Sequence, residues 1–256
     1  MKKFATIALT LAMAAASACA SATTVGICQL VQHEALDAAT QGFKDALTEK
    51  MPDVKFDEQN AAGDAATCVT ITSKFAADGV DLILANATSP LQAAVSATGD
   101  IPILGTSITD YATALGMKEW NGTTGINVSG TSDLAPLDGQ ASMIQELFPE
   151  AKNIGLLYCS AEANSVYQIT TIKGYLEEMG YTCTEFAFTD SNDVASVTQS
   201  AADSSDVVYI PTDNTAAAYT ETIANVLIPA KVPAVVGEEG ICKGCGVATL
   251  TISYYD

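Results

Sequence analysis

The hydrophobic pattern alternates between short apolar runs and longer segments in which apolar residues recur every three or four positions. Runs such as residues 25–31 and 82–85 are nearly continuous, which is typical of strands in a parallel sheet that is covered on both faces. Residues 35–50 have the spacing of an amphipathic helix, with apolar side chains at Leu36, Ala39, Phe43 and Leu47. Because strands and helices alternate, the pattern predicts an α/β protein with right-handed crossovers.

The same arrangement occurs twice along the chain. An apolar run at 206–210 ends at Pro211 and leads into polar residues 212–215, and the run at 81–85 leads into residues 86–90 in the same way. Flanking segments also correspond, with 25–27 matching 154–156, 60–64 matching 190–193, and 101–103 matching 232–234. We therefore predict two doubly wound parallel-sheet lobes, with a ligand cleft between the polar loops at the carboxyl ends of their strands.

The pattern also predicts where the lobes begin and end. Lobe 1 covers residues 23–130 and lobe 2 covers residues 131–252, with a crossing at 130–133. Residues 253–256 start a return to lobe 1, and we expect that return, together with part of the cover of the lobe 1 sheet, to be missing. Within the lobes we predict a strand at 103–105 followed by a polar loop at 106–110, a short strand at 123–128, and one helix from 216 to about 227. Asp64 and Asp193 are predicted helix caps.

The first 22 residues have the features of an export signal. Met1-Lys2-Lys3 is basic, and residues 4–16 form an apolar run too short to span a bilayer. Two alternatives remain open: cleavage after Ala22, or lipidation of Cys19 in a lipobox-like segment that lacks the usual leucine. With no second hydrophobic span in the sequence, we expect an extracytoplasmic protein, either periplasmic or a cell-surface lipoprotein.

Charge and cysteine content narrow the function further. The formal net charge is −19 and the eleven basic residues are scattered, which argues against nucleic-acid binding.

Of the seven cysteines, Cys28 and Cys159 fit buried strand positions, and Cys183 lies in or beside a strand. The CxxC at 242–245 is either a local disulfide or two idle thiols, with redox catalysis a distant third interpretation. We expect no metal and no cofactor.

The predicted exit loops carry hydrogen-bonding side chains and lack a nucleophile elbow or a phosphate-binding loop. That composition favours binding over catalysis, so we expect no enzyme activity, although Asp213 and Glu238 could form an acid/base pair. The candidate ligand contacts lie in these loops and at helix starts, and they are Gln32, His33, Asn86, Thr88, Ser89, Ser107, Thr109, Asp133, Glu162, Asn164, Ser165, Thr212, Asp213, Asn214 and Glu238.

A small zwitterion suits this set of groups. The helix starts at 88–89 and 164–165 offer donors for a carboxylate, and Asp213 or Glu238 offers an anion for an ammonium group. We expect Asp213 to be the acceptor, because Asn214 and Thr215 can cap the following helix in its place. On this hypothesis Asp213→Asn costs ~2–5 kcal/mol of binding.

Several motifs resemble a known family, namely Val25-Gly26-Ile27-Cys28-Gln29, His33-Glu34-Ala35-Leu36-Asp37, Asn60-Ala61-Ala62-Gly63-Asp64, Glu162-Ala163-Asn164-Ser165 and Pro211-Thr212-Asp213-Asn214-Thr215. From about residue 25 to residue 256 the chain is similar to the tryptophan- and aromatic-amino-acid-type substrate-binding proteins of ABC importers, which have a type I periplasmic-binding-protein fold. It departs from them at Tyr111, where the family usually has proline, at Cys159 and at the CxxC.

This resemblance implies a monomer that captures an amino acid, preferably aromatic, and delivers it to a membrane permease with a cytoplasmic ATPase. The lobes would close about hinges near Gly130 and Ser253, and Tyr111 would alter the preferred ligand size. Two alternatives remain: a ligand-sensing subunit of a membrane receptor, and a binding protein for a different small polar ligand such as a sugar.

Overall fold

The computed structural model describes residues 22–256, so the predicted export signal, apart from Ala22, and Cys19 lie outside the described residues. Over this range strands and helices alternate, as the sequence predicts. None of the helices in the described range combines the length and apolar character needed to cross a membrane.

The first half of the described chain contains five strands and four helices. In chain order they are β1 Thr24–Gln29, α1 Glu34–Lys50, β2 Lys55–Asn60, α2 Ala65–Asp78, β3 Leu82–Asn86, α3 Thr88–Ala97, β4 Ile103–Ile108, α4 Tyr111–Ala114 and β5 Val128–Ser132. The second half continues with α5 Leu137–Leu147, β6 Asn153–Cys159, α6 Ala163–Glu178, β7 Thr182–Phe188, α7 Val194–Ser204, β8 Val207–Ile210, α8 Asn214–Ala218, α9 Thr220–Ala230, β9 Ala234–Val236, α10 Glu239–Cys245 and β10 Ala248–Thr249.

The strands form two parallel sheets with the same topology. The first sheet has the order β2-β1-β3-β4-β5, and the second has the order β7-β6-β8-β9-β10 when viewed from its β7 edge. All strand pairs described in both sheets are parallel. This confirms the prediction of two parallel-sheet lobes of common design. The exact lobe limits stay a prediction, and the proposed boundary after Gly130 falls inside β5.

Both faces of the first sheet are covered near β1. Val25 and Ile27 pack with Phe43 of α1, whereas Cys28 and Leu30 belong to the cluster that contains Phe75 of α2. Cys28 and Cys159 are buried, as predicted for small apolar side chains. All six cysteines in the described range are free thiols, including both residues of the CxxC.

Asp64 caps α2, because its carboxylate accepts from the backbone N–H of Thr67, which confirms that prediction. Asp193 occupies the predicted cap position of α7, but its side chain makes no capping bond to the helix.

Several predicted boundaries are wrong. Strand β4 continues to Ile108, so Thr106 and Ser107 belong to the strand and not to a loop. The next strand begins only at Val128, and residues 123–127 have no strand structure. The helix predicted from 216 to about 227 is two helices, α8 and α9, which are separated at Tyr219 because its backbone angles, φ −123° and ψ 29°, are not helical. Helices α4 and α10 were not predicted, since four to seven residues are too few to show a clear helical period.

Candidate ligand-binding site

One cavity between the two sheets collects seven of the fifteen predicted ligand contacts, namely His33, Ser107, Thr109, Asp133, Asn164, Thr212 and Asn214. Ala35, Leu36 and Tyr254 complete its walls. Its volume is only about 10 Å³, which is on the order of the space that one water molecule needs. The lobes are therefore packed closely together, and a larger ligand requires them to separate.

Three buried polar atoms in this cavity lack a hydrogen-bond partner within the protein. They are Nδ1 of His33, Oγ of Ser107 and Oδ1 of Asp133. Buried polar atoms are nearly always paired, because leaving one without a partner costs ~1–3 kcal/mol. Three such atoms around one cavity indicate a place where a polar ligand would supply the missing partners.

Asp133 is the acidic residue of this cavity. It directly follows β5, where its N–H donates to the carbonyl of Ile108 at 3.1 Å, and its Oδ2 accepts from the Tyr254 hydroxyl at 2.8 Å. The residue is 6% exposed, and burial raises the pKa of its carboxyl group. All eleven basic residues of the chain are lysines, and none in the described range lines the cavity. The arrangement therefore favours a ligand with a positive charge near Asp133.

A local irregularity in β4 places Ser107 at the cavity. The pairing of β4 with β5 shifts register between Gly105 and Ile108, and Ser107 has a φ of +56°. The hydroxyl of Tyr111 braces this region by donating to the carbonyl oxygens of Gly105 at 3.0 Å and Thr131 at 3.2 Å. Left-handed backbone at a non-glycine residue is strained and is often found at functional sites. Tyr111 itself lies outside the cavity wall.

In the second lobe, Gln168 of α6 holds the wall of the cavity in place. Its Oε1 accepts from the N–H of Thr212 and its Nε2 donates to the carbonyl of Thr212, both at 3.0 Å. Glu162 fixes the start of α8, because its carboxylate accepts from the N–H of Asn214 at 3.1 Å and from the N–H of Thr215 at 2.9 Å. Glu162 therefore serves to position Asn214, and both of its oxygens are used by groups of the protein.

The expectation that Asp213 is spare for ligand binding is wrong. Asp213 is the N-cap of α8: its Oδ1 accepts from the N–H of Ala216 at 2.8 Å and its Oδ2 from the N–H of Cys159 at 2.7 Å. It is 1% exposed. Its pKa is raised to about 7, chiefly by burial and to a smaller extent by the nearby Glu162 carboxylate. Both oxygens are used inside the protein, and Asp213 does not line the cavity.

Glu238, the other predicted anion, is also a cap. Its carboxylate accepts from the N–H groups of Gly240, at 2.7 Å, and of Ile241, and so begins α10. Burial raises the pKa of this carboxyl group. The predicted acid/base pair of Asp213 and Glu238 thus consists of two carboxylates that each hold a helix start.

The remaining predicted contacts lie outside the cavity wall. Gln32 is exposed, and Ser165 is fully buried. Asn86 donates to the carbonyl of Leu36 at 2.8 Å and to Thr40 at 2.9 Å, so its amide braces α1. Thr88 and Ser89 begin α3, which has no side-chain cap and starts after Ala87 in a strained conformation with φ 101°. The first N–H groups of α3 therefore receive no bond from a side-chain cap.

Two residues near the site were missed by the sequence reasoning. Gln168 is a polar residue beside the apolar positions Ile169, Ile172 and Leu176 of α6, and its burial at 1% exposure could have been suspected from that position. Tyr254 follows the last strand, and no local sequence pattern marks it as a site residue. It reaches Asp133 because residues 250–255 fold back toward the first lobe.

A larger groove of about 820 Å³ lies beside the cavity on the first lobe. It runs between α1, β4, β5 and residues 252–256, and its walls include Ser107 and Asp133. His33, Asn164 and Asn214 do not line it. The cavity between the lobes is the stronger candidate for a ligand site, because both lobes contribute polar groups there.

Two similar parallel α/β lobes that meet at a polar cavity define a two-lobed ligand-binding protein with the type I periplasmic-binding-protein fold. A family model described as ABC transporter substrate binding protein matches residues 24–256. The chain belongs to this family. Its members bind small molecules outside the cytoplasm and work with permease components of the transporter.

Individual relatives are similar over most of the chain. A tyrosine-binding protein from Clostridioides difficile (strain R20291) is 37% identical over 234 residues, which is 90% of this chain and 68% of the relative. An ABC domain from Streptococcus pneumonia solved in complex with L-Trp has a TM-score of 0.88 at 33% identity, covering 92% of this chain and 81% of that one. A ligand-free, open substrate-binding protein with adhesive properties from Clostridium difficile has a TM-score of 0.60 at 38% identity, covering 87% and 77%.

Proposed function

We propose that this protein captures an amino acid, preferably an aromatic one, between its two lobes and delivers it to an ABC permease driven by a cytoplasmic ATPase. It acts as a monomer and carries out no chemistry on the ligand. The relatives that are named for tyrosine binding and solved with L-Trp support the aromatic preference.

The three unpartnered polar atoms in the cavity carry this proposal. The free Oδ1 of Asp133 accepts from the ligand's ammonium group, while Ser107 and His33 offer hydrogen-bonding groups of the first lobe. A carboxylate then needs donors other than arginine or lysine, and the Ser107 hydroxyl is a donor of this kind. A zwitterion therefore fits better than a simple anion, because the described residues that line the cavity include a carboxyl group and no lysine or arginine side chain.

Closure of the lobes accounts for the small cavity. The chain is more similar to the L-Trp complex, with a TM-score of 0.88, than to the open, ligand-free relative, with a TM-score of 0.60, although the open relative has the higher sequence identity. This difference supports a closed arrangement of the lobes. Ligand entry then requires opening, which we place at the crossings near Gly130 and Ser253.

Contacts of the last residues support the second crossing. The side chain of Gln140 in α5 donates to the carbonyl of Leu250 at 2.8 Å, whereas Tyr255 donates to Asp45 of α1 at 2.7 Å. Residues 250–255 thus lead from lobe 2, residues 131–252, to lobe 1, residues 23–130, in the proposed division of the chain.

The proposal that the protein has no catalytic activity is supported by the structural roles of Asp213 and Glu238, the candidate acid and base. Asp213 and Glu238 accept hydrogen bonds from backbone N–H groups at helix starts, which leaves them poorly placed to exchange protons with a ligand.

For the export signal, cleavage after Ala22 and lipidation of Cys19 predict different masses for the mature protein, so intact-mass measurement on protein from its native membrane fraction separates them.

Isothermal calorimetry with the twenty amino acids, followed by sugars and short peptides, tests the proposed ligand class. We expect saturable binding of one or more aromatic amino acids. Saturable binding of a sugar without a response to any amino acid would contradict the proposal. Sedimentation analysis of the same sample with and without ligand checks the monomeric state.

A further inference from the structure

Cys28 and Cys68 lie opposite each other in the core of the first lobe. Side chains alternate along β1, so Cys28 and Gly26 share the face toward α2. A Cβ atom on Gly26 would lie 2.7 Å from the Phe75 ring of α2. Because α2 runs back along the parallel sheet, the step from Phe75 to Cys68 leads in the same direction as the step from Gly26 to Cys28. The register therefore brings the two thiols together.

Both thiols are fully buried in one apolar cluster. Each thiol shifts the pKa of the other, which is raised at Cys28 and lowered at Cys68. Neither residue lines the ligand cavity. The two side chains are thus close neighbours with no role in the proposed binding function.

We propose that Cys28 and Cys68 are oxidised to a disulfide that joins β1 to α2 in the exported protein. The structure represents the reduced form of this pair. Disulfides persist in extracytoplasmic compartments, and the family is extracytoplasmic. Cross-linking a strand to the helix that follows three elements later fixes the packing between them.

The oxidant is another disulfide, carried by a small thiol compound or a thiol–disulfide oxidoreductase. The Cys68 thiolate attacks one sulfur of that disulfide, forms a mixed disulfide and releases the first external thiol. The Cys28 thiolate then attacks the Cys68 sulfur, forms the internal S–S bond and releases the second external thiol. Two protein thiols and one external disulfide become one protein disulfide and two external thiols, so atoms and electrons balance. Because both sulfurs are buried, exchange occurs during folding or local opening.

The CxxC offers a contrast within the same chain. Cys242 and Cys245 lie three positions apart on α10, and burial raises the pKa of both, of Cys245 to about 12. Their thiolates are disfavoured, so this pair lacks the acidic thiol that initiates rapid exchange. It serves as the reference pair for the experiment.

In the test, the protein comprising residues 22–256 is refolded in a buffer of oxidised and reduced glutathione. The remaining thiols are blocked under denaturing conditions, and linked peptides are identified by mass spectrometry. We expect one link between the peptides that contain Cys28 and Cys68. We also expect the oxidised protein to melt about 5–15 °C above the protein in excess reductant, because the cross-link restricts the unfolded chain. Ligand affinity should be the same in both forms.

Two variants provide the controls. Cys68→Ser should remove the redox dependence of the melting temperature, whereas Cys245→Ser should retain it. The peptide measurement on the unsubstituted chain stands even if Cys68→Ser fails to fold. Complete blocking of both Cys28 and Cys68 after oxidative refolding, or a link confined to Cys242 and Cys245, would overturn the proposal and leave the proposed ligand binding untouched.

Discussion

At the residue scale, four buried carboxylates lie around the cleft, and their hydrogen-bond partners divide them into two kinds. Glu162, Asp213 and Glu238 accept from backbone N–H groups at helix starts. Asp133 accepts from Tyr254 through one oxygen and has no protein partner for the other. The first three stabilise the framework of the second lobe, and only Asp133 retains an acceptor for a ligand.

We therefore expect Asp133→Asn to weaken amino-acid binding by at least about thirtyfold, since losing one partner of a buried charge pair costs ~2–5 kcal/mol. The matched control is Asp213→Asn, for which affinity should stay within about threefold while the melting temperature falls, because an amide donor would then face the N–H of Cys159. Calorimetry and thermal unfolding of both variants check this. The opposite result, with affinity lost only on Asp213→Asn, would restore Asp213 as the ligand's acceptor.

The pH dependence of stability follows from the raised pKa of Asp133. Burial favours the neutral carboxyl group, so this residue's contribution to the stability of the unliganded protein is fully present below the unfolded pKa near 3.9 and is lost as pH rises through the folded pKa. The Tyr254 hydroxyl beside it stays protonated, because burial raises its pKa well above the usual value near 10. Without ligand, Asp133→Asn should therefore match the unsubstituted protein near pH 4 and melt at a higher temperature at pH 7.

Thermal unfolding of both proteins between pH 4 and pH 8 measures this difference. The raised pKa of Asp213 is common to both proteins and so cancels. A variant that melts lower than the unsubstituted protein at pH 7 would show that the Asp133 charge is already balanced within the protein.

At the scale of elements, the irregular pairing of β4 with β5 shapes the first-lobe wall. The register shift directs Ser107 to the cavity, and Asp133 follows β5 at the same level, where it bonds to Ile108. Tyr111, the first residue of α4, ties the two strands together through Gly105 and Thr131 and stacks on Trp120 at 6.5 Å between ring centroids. A residue outside the cavity thus determines how two cavity residues are held.

We expect Tyr111→Phe to destabilise the protein by ~1–3 kcal/mol, because it leaves two strand carbonyls without their donor. Amino-acid affinity should also fall by about threefold to tenfold, as Ser107 is held less firmly. Tyr255→Phe removes a hydroxyl from an exposed contact with Asp45 and should leave both quantities nearly unchanged. Denaturant unfolding and calorimetry make the comparison, and equal effects of the two substitutions would argue against a bracing role for Tyr111.

At the scale of the whole molecule, a few polar contacts join the lobes across the cleft. His33 of the first lobe lies 3.2 Å from Asn214 of the second through Nε2 and Oδ1, and Gln168 approaches Thr109 at 3.5 Å. Lys243 of α10 pairs with Glu34 at the start of α1, but both side chains are about half exposed. Exposed ion pairs contribute little and are weakened by salt, so closure depends chiefly on the ligand and on contacts such as that of His33.

His33→Ala should weaken amino-acid binding by about tenfold, because it removes a bond between the lobes and one of the unpartnered cavity atoms. Gln32→Ala is the neighbouring control, and it should have no effect because Gln32 is exposed and does not line the cavity. Small-angle scattering should show that ligand compacts the unsubstituted protein and the Gln32 variant, and that the His33 variant needs more ligand for the same change. If ligand leaves the scattering of the unsubstituted protein unchanged, lobe closure is not part of binding.

The sequence by itself determined the features that depend on local patterns. Apolar runs and helical spacing predicted the alternation of strands and helices, and the repeat of residues 81–90 at 206–215 predicted two lobes of the same topology. Asp64 was recognised as a cap because a cap bonds to its own helix three residues later. Such features involve residues that are close in the chain, and the sequence shows them directly.

Only the tertiary structure decided which carboxylate faces the ligand. Asp213 and Asp133 both follow a strand, and nothing local separates them. Asp213 accepts a hydrogen bond from the N–H of Cys159, which is distant in the sequence. Asp133 faces the cavity, between Tyr254 and the irregular strand segment at Ser107. Whether a polar group is free or satisfied depends on partners that distant segments bring to it, and the same holds for the two thiols of Cys28 and Cys68, which meet only because α2 packs back across β1.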